Sequence, residues 1–265
     1  MVAGHRVRRG VGLACLVGVV LLGAACTPQD GSVSSPATLS GSPHPSARPS
    51  AQPTAHPSGT PRPTAHPSPP AGTGTALAAL RHLPVKGRAP KTGYARLQFG
   101  PAWADTDHNG CDTRNDILRR DLHAIVLKPG TQGCVVLTGI LRDPYGGSVI
   151  SFQRGVQTSQ LVQIDHVVAL SDAWQTGAQQ LSAATRLLFA NDPLELLAVS
   201  GSLNEQKEDG DAATWLPPDR SYWPAYVARQ IAVKTKYHLW VTAAEAAAMT
   251  RVLLRAPSTP LPGGP

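Results

Sequence analysis

Residues 163–211 read QIDHVVALSDAWQTGAQQLSAATRLLFANDPLELLAVSGSLNEQKEDGD. The apolar, β-branched run from Leu161 to Val168 reads as a strand and carries Asp165 and His166. Ala178 to Ala190 reads as a helix that Asn191-Asp192-Pro193 stops. Leu194 to Val199 is a short apolar strand. Ser202 then opens a short helix, with Glu205 in the reciprocal capping position, and that helix holds Asn204 and Lys207. Strand, strand and helix in this order gather residues from the first strand and the helix around one point. A carboxylate and an amide oxygen there suit a hard cation such as Mg²⁺. A neutral imidazole can deprotonate water near neutral pH. Phosphodiester hydrolysis needs water activated, phosphate charge neutralised and the leaving oxygen stabilised.

Outward from this stretch the patterning stays mixed. Thr113 to Leu122 predicts a helix, with Thr113 and Asp116 as a capping pair. Cys134 to Leu141 and Ser148 to Phe152 predict strands, joined by the turn chemistry of Asp143-Pro144-Tyr145-Gly146-Gly147. Thr242 and Glu245 predict the cap of a last, alanine-rich helix. The expectation is one α+β domain over residues 76–255, long enough for a real core. Trp103, Trp174, Trp215, Trp223 and Trp240 are scattered, and core or rim packing is their default reading.

The ends of the chain differ from this core. Arg6, Arg8 and Arg9 precede an apolar run, Val11 to Ala25, shorter than the ~20 residues a bilayer span needs and suited to a secretory signal. The run ends Leu21-Leu22-Gly23-Ala24-Ala25-Cys26, which resembles a bacterial lipobox except that Gly23 stands where Leu is usual. Lipidation of Cys26 and plain cleavage near Ala24 or Ala25 both remain open. Either makes the protein extracytoplasmic, as a membrane-anchored lipoprotein or as a secreted protein. Residues 27–75 are rich in Pro, Ser, Thr and Ala, repeat Pro-Thr-Ala-His-Pro-Ser at 53–58 and 63–68, and lack any apolar period. They read as a disordered, extended spacer. Residues 256–265 read as a disordered Pro/Gly tail.

The formal charge is +7, but Arg6, Arg8, Arg9, Arg48 and Arg62 against Asp30 place +4 of it before residue 76. A polyanion partner therefore has to be met by a few placed cations rather than by bulk charge.

Of four cysteines, Cys15 and Cys26 belong to the signal. Cys111 and Cys134 remain. In an oxidising compartment they read as one disulfide, worth ~3 kcal/mol in a chain-entropy model, the alternative being two reduced buried thiols. Asp105-Thr-Asp107-His-Asn109-Gly110, with Asp116 at its twelfth position, begins like a calcium loop. Calcium binding, a structural turn and a substrate-contacting loop all fit it. Under the last reading Arg114 would clamp phosphate in a bidentate fork; otherwise it is a solvated residue at a helix start.

The ordered set Asp165-His166, Asn191-Asp192-Pro193-Leu-Glu195 and Ser202-Leu-Asn204-Glu-Gln-Lys207 resembles the HNH, or ββα-metal, nuclease motif. More narrowly it resembles the exported bacterial HNH family grouped with the DUF1524 domain. The resemblance extends upstream to Tyr94-Ala-Arg96-Leu-Gln-Phe99-Gly100 and to Trp103 through Asn115, and downstream to Asp211-Ala-Ala-Thr-Trp215-Leu-Pro217-Pro218. It implies an HNH core with added helices and a β-hairpin. It implies His166 as general base, Asp165 and Asn204 as metal ligands, and Lys207 as a cation facing phosphate. Glu195 stands where many members carry an Asn that orients the histidine; a carboxylate there would hold the imidazole and raise its pKa. The implied activity is a metal-dependent endonuclease of low sequence specificity acting on DNA or RNA, with Mg²⁺ as cofactor and Mn²⁺ or Ca²⁺ as alternatives. The expected protein is a monomer with no protein partner evident. Two other classes compete: a surface-tethered nucleic-acid-binding module that has lost catalysis, and a calcium-dependent interaction domain built on residues 105–116.

Overall fold

The computed structural model of the protein describes residues 74–263. The signal, Cys26 and most of the spacer lie outside the described residues. Among those described, no helix is long and apolar enough to cross a membrane.

The fold is α+β. After a short helix α1 (Ala76–Leu80) and a 3₁₀ turn (Arg96–Phe99), helix α2 (Thr113–Asp121) leads into β1 (Leu122–Leu127), β2 (Val136–Arg142) and β3 (Val149–Gln153). These strands form an antiparallel sheet in that order. Then come β4 (Val162–His166), α3 (Leu170–Gln175), α4 (Ala183–Ala190), β5 (Leu196–Ser200) and α5 (Gly201–Lys207). β4 and β5 pair antiparallel, with Asp165 opposite Leu197 and His166 opposite Leu196. Helices α6 (Trp223–Lys236) and α7 (Ala243–Leu253) complete the domain.

The β4–β5 pair is packed on both faces. Leu197 and Val199 join the larger core with Tyr145, Val167, Tyr226 and Ile231. Val162, Ile164, Leu196 and Ala198 join a second core with Ile117, Leu118 and Phe152. All five positions of β5 are buried, which explains the apolar run Leu196 to Val199. Arg120 and Arg229 fix the approach to β5 by donating to the carbonyls of Pro193 and Leu196, and Arg229 also to that of Leu194. Helix α5 starts directly against β4's entry: a Cβ on Gly201 would lie 1.9 Å from the Gln160 carbonyl oxygen. Only glycine permits that approach. It sets the depth at which Asn204 and Lys207 meet β4.

Several sequence-based boundaries need correction. The cap of α2 is Asp112, whose carboxylate accepts from the Asn115 N–H, while the Thr113 hydroxyl donates to the Ala104 carbonyl. The expected helix from Ala178 to Ala190 is broken into a 3₁₀ turn (Ala178–Gln180) and α4, because Ser182 accepts from the Thr185 N–H and caps a new start. Ser202 caps nothing: α5 begins one residue earlier, and Glu205 instead accepts from the Gln163 side chain. β1, α3 and α6 were not foreseen. The capping box of Thr242 and Glu245 is present on α7. The segment after residue 255 is not a free tail as far as Gly263: Thr259 accepts from the Ala76 N–H, and Leu261 donates to Gly74. The Thr259 carbonyl thus answers the first N–H of α1.

The predicted disulfide joins Cys111 to Cys134, with Cα atoms 5.2 Å apart. It fastens the loop before α2 to the approach to β2.

Candidate active site

β4 ends at an open cleft of about 540 Å³ lined by Lys91, Tyr94, Arg96, Ile164, Asp165, His166, Ala169, Leu170, Ser171, Asn204, Glu208 and Asp209. Three of the residues expected to act together, Asp165, His166 and Asn204, line this cleft.

His166 is half-buried, its ring stacked on Trp103 with centroids 6.2 Å apart. Its Nε2 lies 3.0 Å from the Ala190 carbonyl oxygen. A carbonyl only accepts, so Nε2 carries the proton and Nδ1 of the neutral ring keeps its lone pair. Burial pushes the imidazole down to about 3; the Arg96 charge acts in the same direction and the Ala190 bond opposes it. The ring is thus held neutral, with Nδ1 as its acceptor.

Glu195, expected to hold the imidazole, bonds elsewhere. Its carboxyl accepts from the Val168 N–H at 3.2 Å and makes no hydrogen bond to His166. It is fully buried, and burial raises its pKa well above the usual carboxylate range. The imidazole is oriented by a backbone carbonyl, and the expected upward shift of its pKa is reversed.

Asp165 lies on the opposite face of β4, as strand alternation requires. Its Oδ2 accepts from the Tyr145 hydroxyl at 2.5 Å and its Oδ1 from Lys207 Nζ at 3.0 Å. Burial raises its pKa, and Lys207 and Tyr145 pull it back. Tyr145 arrives through the predicted turn: Asp143 accepts from the N–H groups of Tyr145 and Gly146 and also from Ser200. Tyr145 then packs edge-on against Trp215 and Tyr226.

Lys207 was expected to face phosphate. Its side chain is fully buried, and Nζ donates to Asp165 and to the His166 carbonyl. Arg114 was expected at the substrate or in solvent. It is half-buried and donates to the carbonyls of Ser159 and Val162, bracing the entry to β4. Both cations are spent inside the protein.

Asn204 is oriented by Gln163, which sits two residues before Asp165 on the same strand face. Asn204 Nδ2 donates to Gln163 Oε1 at 2.8 Å. Its Oδ1 therefore turns away from Gln163 and has no donor among the described residues. One carboxylate and one free amide oxygen at a cleft fit a hard divalent cation. The Asp165 carboxylate would then be shared between that cation and Lys207.

The acidic loop turns inward. Asp105 accepts from the N–H groups of Asn109 and Gly110, Asp107 from Asn109, and Asn109 Oδ1 from Cys111. Its carboxylates are engaged as turn acceptors, in keeping with the structural-turn reading. Among the described residues no group of three or more His, Cys, Asp or Glu side chains is arranged to hold a metal.

Sequence reasoning gave no role to Arg96, Trp103, Tyr145 or Gln163. Tyr94-Ala-Arg96 and Trp103 stood in the resembling segments, and only folding shows which of their side chains reach the cleft. Tyr145 read as a turn residue, with no signal of its reach to Asp165.

Comparison with known proteins adds the lineage. The chain is 37% identical over 191 residues to an "Uncharacterized secreted protein" from Arthroderma benhamiae (strain ATCC MYA-4681 / CBS 112371), covering 71% of this chain and 88% of that one. No solved structure matches. Residues 112–252 match the family model described as GmrSD restriction endonucleases, C-terminal domain. That segment holds Asp165, His166, Asn204 and Lys207 and spans more than half of the chain, which therefore belongs to this nuclease family.

Proposed function

We propose that the protein is an extracytoplasmic, metal-dependent HNH endonuclease that hydrolyses phosphodiester bonds of DNA, and of RNA, with low sequence specificity. The observation that carries this reading is His166, neutral, half-buried and fixed by Ala190 with a bare Nδ1, in the same cleft as Asp165 and Asn204. The β4–β5–α5 arrangement supports an HNH core of the DUF1524 kind. The secreted relative and the disulfide support a place outside the cytoplasm. Release as a secreted protein and anchoring through a lipid on Cys26 are the two routes to it, and a monomer suffices for the chemistry.

His166 Nδ1 takes a proton from water, and the Ala190 carbonyl holds the ring in place as positive charge develops on it. A base of this kind contributes typically 10²- to 10⁴-fold. Lys207 and Tyr145 fix the Asp165 carboxylate, and Gln163 fixes the Asn204 amide. Asp165 and Asn204 would hold the divalent ion, Mg²⁺ first and Mn²⁺ or Ca²⁺ as alternatives. When bound, it supplies neutralisation of phosphate and leaving-oxygen charge.

Plasmid nicking by the full, oxidised chain with Mg²⁺, Mn²⁺ or EDTA tests this. Cleavage should need metal and fall about 10³-fold in His166→Ala, with an unchanged circular dichroism spectrum. A folded wild-type protein that cleaves neither plasmid, single-stranded DNA nor RNA with any of these metals would refute the nuclease reading.

A further inference from the structure

The cations expected at phosphate, Lys207 and Arg114, are both engaged within the protein. Lys91, also at the cleft, is paired with Asp209 at 3.0 Å. Arg96 differs from all three. Its Nη1 is buried without a hydrogen-bond partner, and among the described residues its guanidinium makes no ion pair. A buried donor left unsatisfied costs about 1–3 kcal/mol, more when charged. The residue as a whole is only half-buried and lines the cleft, where a ligand can reach it.

Its placement is rigid. Arg96 opens the 3₁₀ turn Arg96–Phe99, whose Phe99 is fully buried and packs against Tyr94, Trp174 and Phe189. The turn closes on Gly100 at φ +75°, a conformation glycine adopts without strain. Arg186 donates to the Gln98 carbonyl at 2.7 Å and ties the turn to α4. Arg96 lines the cleft beside His166 and Asn204, and its charge is felt at the His166 ring. It lies outside residues 112–252, the segment matched by the family model.

We infer that Arg96 is the phosphate-binding cation of this cleft, gripping the phosphodiester that His166 addresses. A guanidinium fork matches two phosphate oxygens at once and keeps its charge at every working pH. That the phosphate is the scissile one rests on the nuclease reading; that Arg96 binds a phosphate does not.

The test measures two quantities on the full chain. One is the affinity for a short fluorescein-labelled DNA duplex in EDTA, read by anisotropy over a range of KCl concentrations. The other is plasmid nicking with Mg²⁺. Arg96→Gln should lower the slope of log affinity against log salt by about 1 and slow nicking about 100-fold. Arg251→Gln, which removes the same charge from an exposed site on α7, should change neither. A slope and a nicking rate equal to wild type in a folded Arg96→Gln protein would overturn the inference and leave the nuclease intact. A wild type that binds but does not nick, with a lower slope in Arg96→Gln, would keep the phosphate site and remove the nuclease reading. A wild type that does not bind the duplex overturns the inference. Should Arg96→Gln fail to fold, Arg96→Lys decides: it keeps the charge and loses the fork, so nicking should fall about tenfold, and undiminished nicking overturns the inference.

Discussion

The domain buries two lysines completely, Lys207 and Lys234, and their surroundings differ in what is left over. Lys234 on α6 lies 3.2 Å from Asp172 and 2.8 Å from Glu245 and also donates to the Trp240 carbonyl. Arg88 extends the cluster, reaching Asp172 and Asp211 at 2.8 Å each. The charges answer one another and draw α3, α6 and α7 together. Lys207 on α5 is paired as closely, to Asp165 at 3.0 Å. Around it, however, His166 Nδ1 and Asn204 Oδ1 have no protein partner in residues that line a cleft, and Arg96, which lines it too, has a buried Nη1 without one. Burial and ion pairing therefore do not tell the two lysines apart. The unspent donors and acceptors beside Lys207, at a cleft, do.

The largest stability effect should come from breaking the closed cluster. Lys234→Met leaves Asp172 and Glu245 buried with much of their positive charge removed. Removing one partner of a buried pair costs about 3–5 kcal/mol. Urea unfolding should show that loss, while nicking per folded molecule stays at the wild-type level. A loss under 1 kcal/mol would mean that water enters this region and that the two lysines are not the contrast drawn here.

Lys207→Met probes the other side and should cost less, about 2 kcal/mol. Asp165 keeps the Tyr145 hydroxyl, and the adjoining cleft admits water or a cation in place of the ammonium. The same substitution should reduce nicking, since Asp165 loses its fixed orientation. Equal losses in the two methionine variants would erase the distinction between a site and a brace.

The sequence made the frame of this contrast legible and hid its detail. The β4–β5–α5 order and the pair Asp165-His166 could be read because apolar runs and turn residues are local signals. Asn204 and Lys207 fall one turn apart on α5, so their shared side was predictable as well. What each cation faces was not. Lys207 turns inward because Gly201 lets α5 sink against Gln160, a tertiary contact that no spacing reveals. Arg114 is drawn to the carbonyls of Ser159 and Val162, 45 and 48 residues away. Arg96 reaches the cleft only because Phe99 anchors its turn in a core built from residues far along the chain. The α6–α7 brace was invisible for the same reason: nothing local in the sequence sets Lys234 against Asp172 on α3 and Glu245 on α7.

The smallest predicted effect is a pH dependence confined to the closed cluster. Burial pushes Glu245 up to about 7; Lys234 opposes this, and the charge of Asp172 reinforces it. In the unfolded chain its carboxyl titrates near 4.5. Between these values the folded protein holds a proton that the unfolded chain has released, so stability falls as pH rises across that window. Glu245 contributes fully below about pH 4.5, and its contribution is lost as pH passes through about 7. Glu245→Gln removes the titration while keeping a neutral amide where the carboxyl lay. Its unfolding free energy should therefore lack a decline, on the order of 1–2 kcal/mol, that the wild type shows between pH 5 and pH 7. Urea titrations at half-unit steps would resolve the difference. Parallel pH profiles for the two proteins would show that Glu245 is ionised throughout and shares the Lys234 ammonium with Asp172, making the brace a network of charges rather than a single pair.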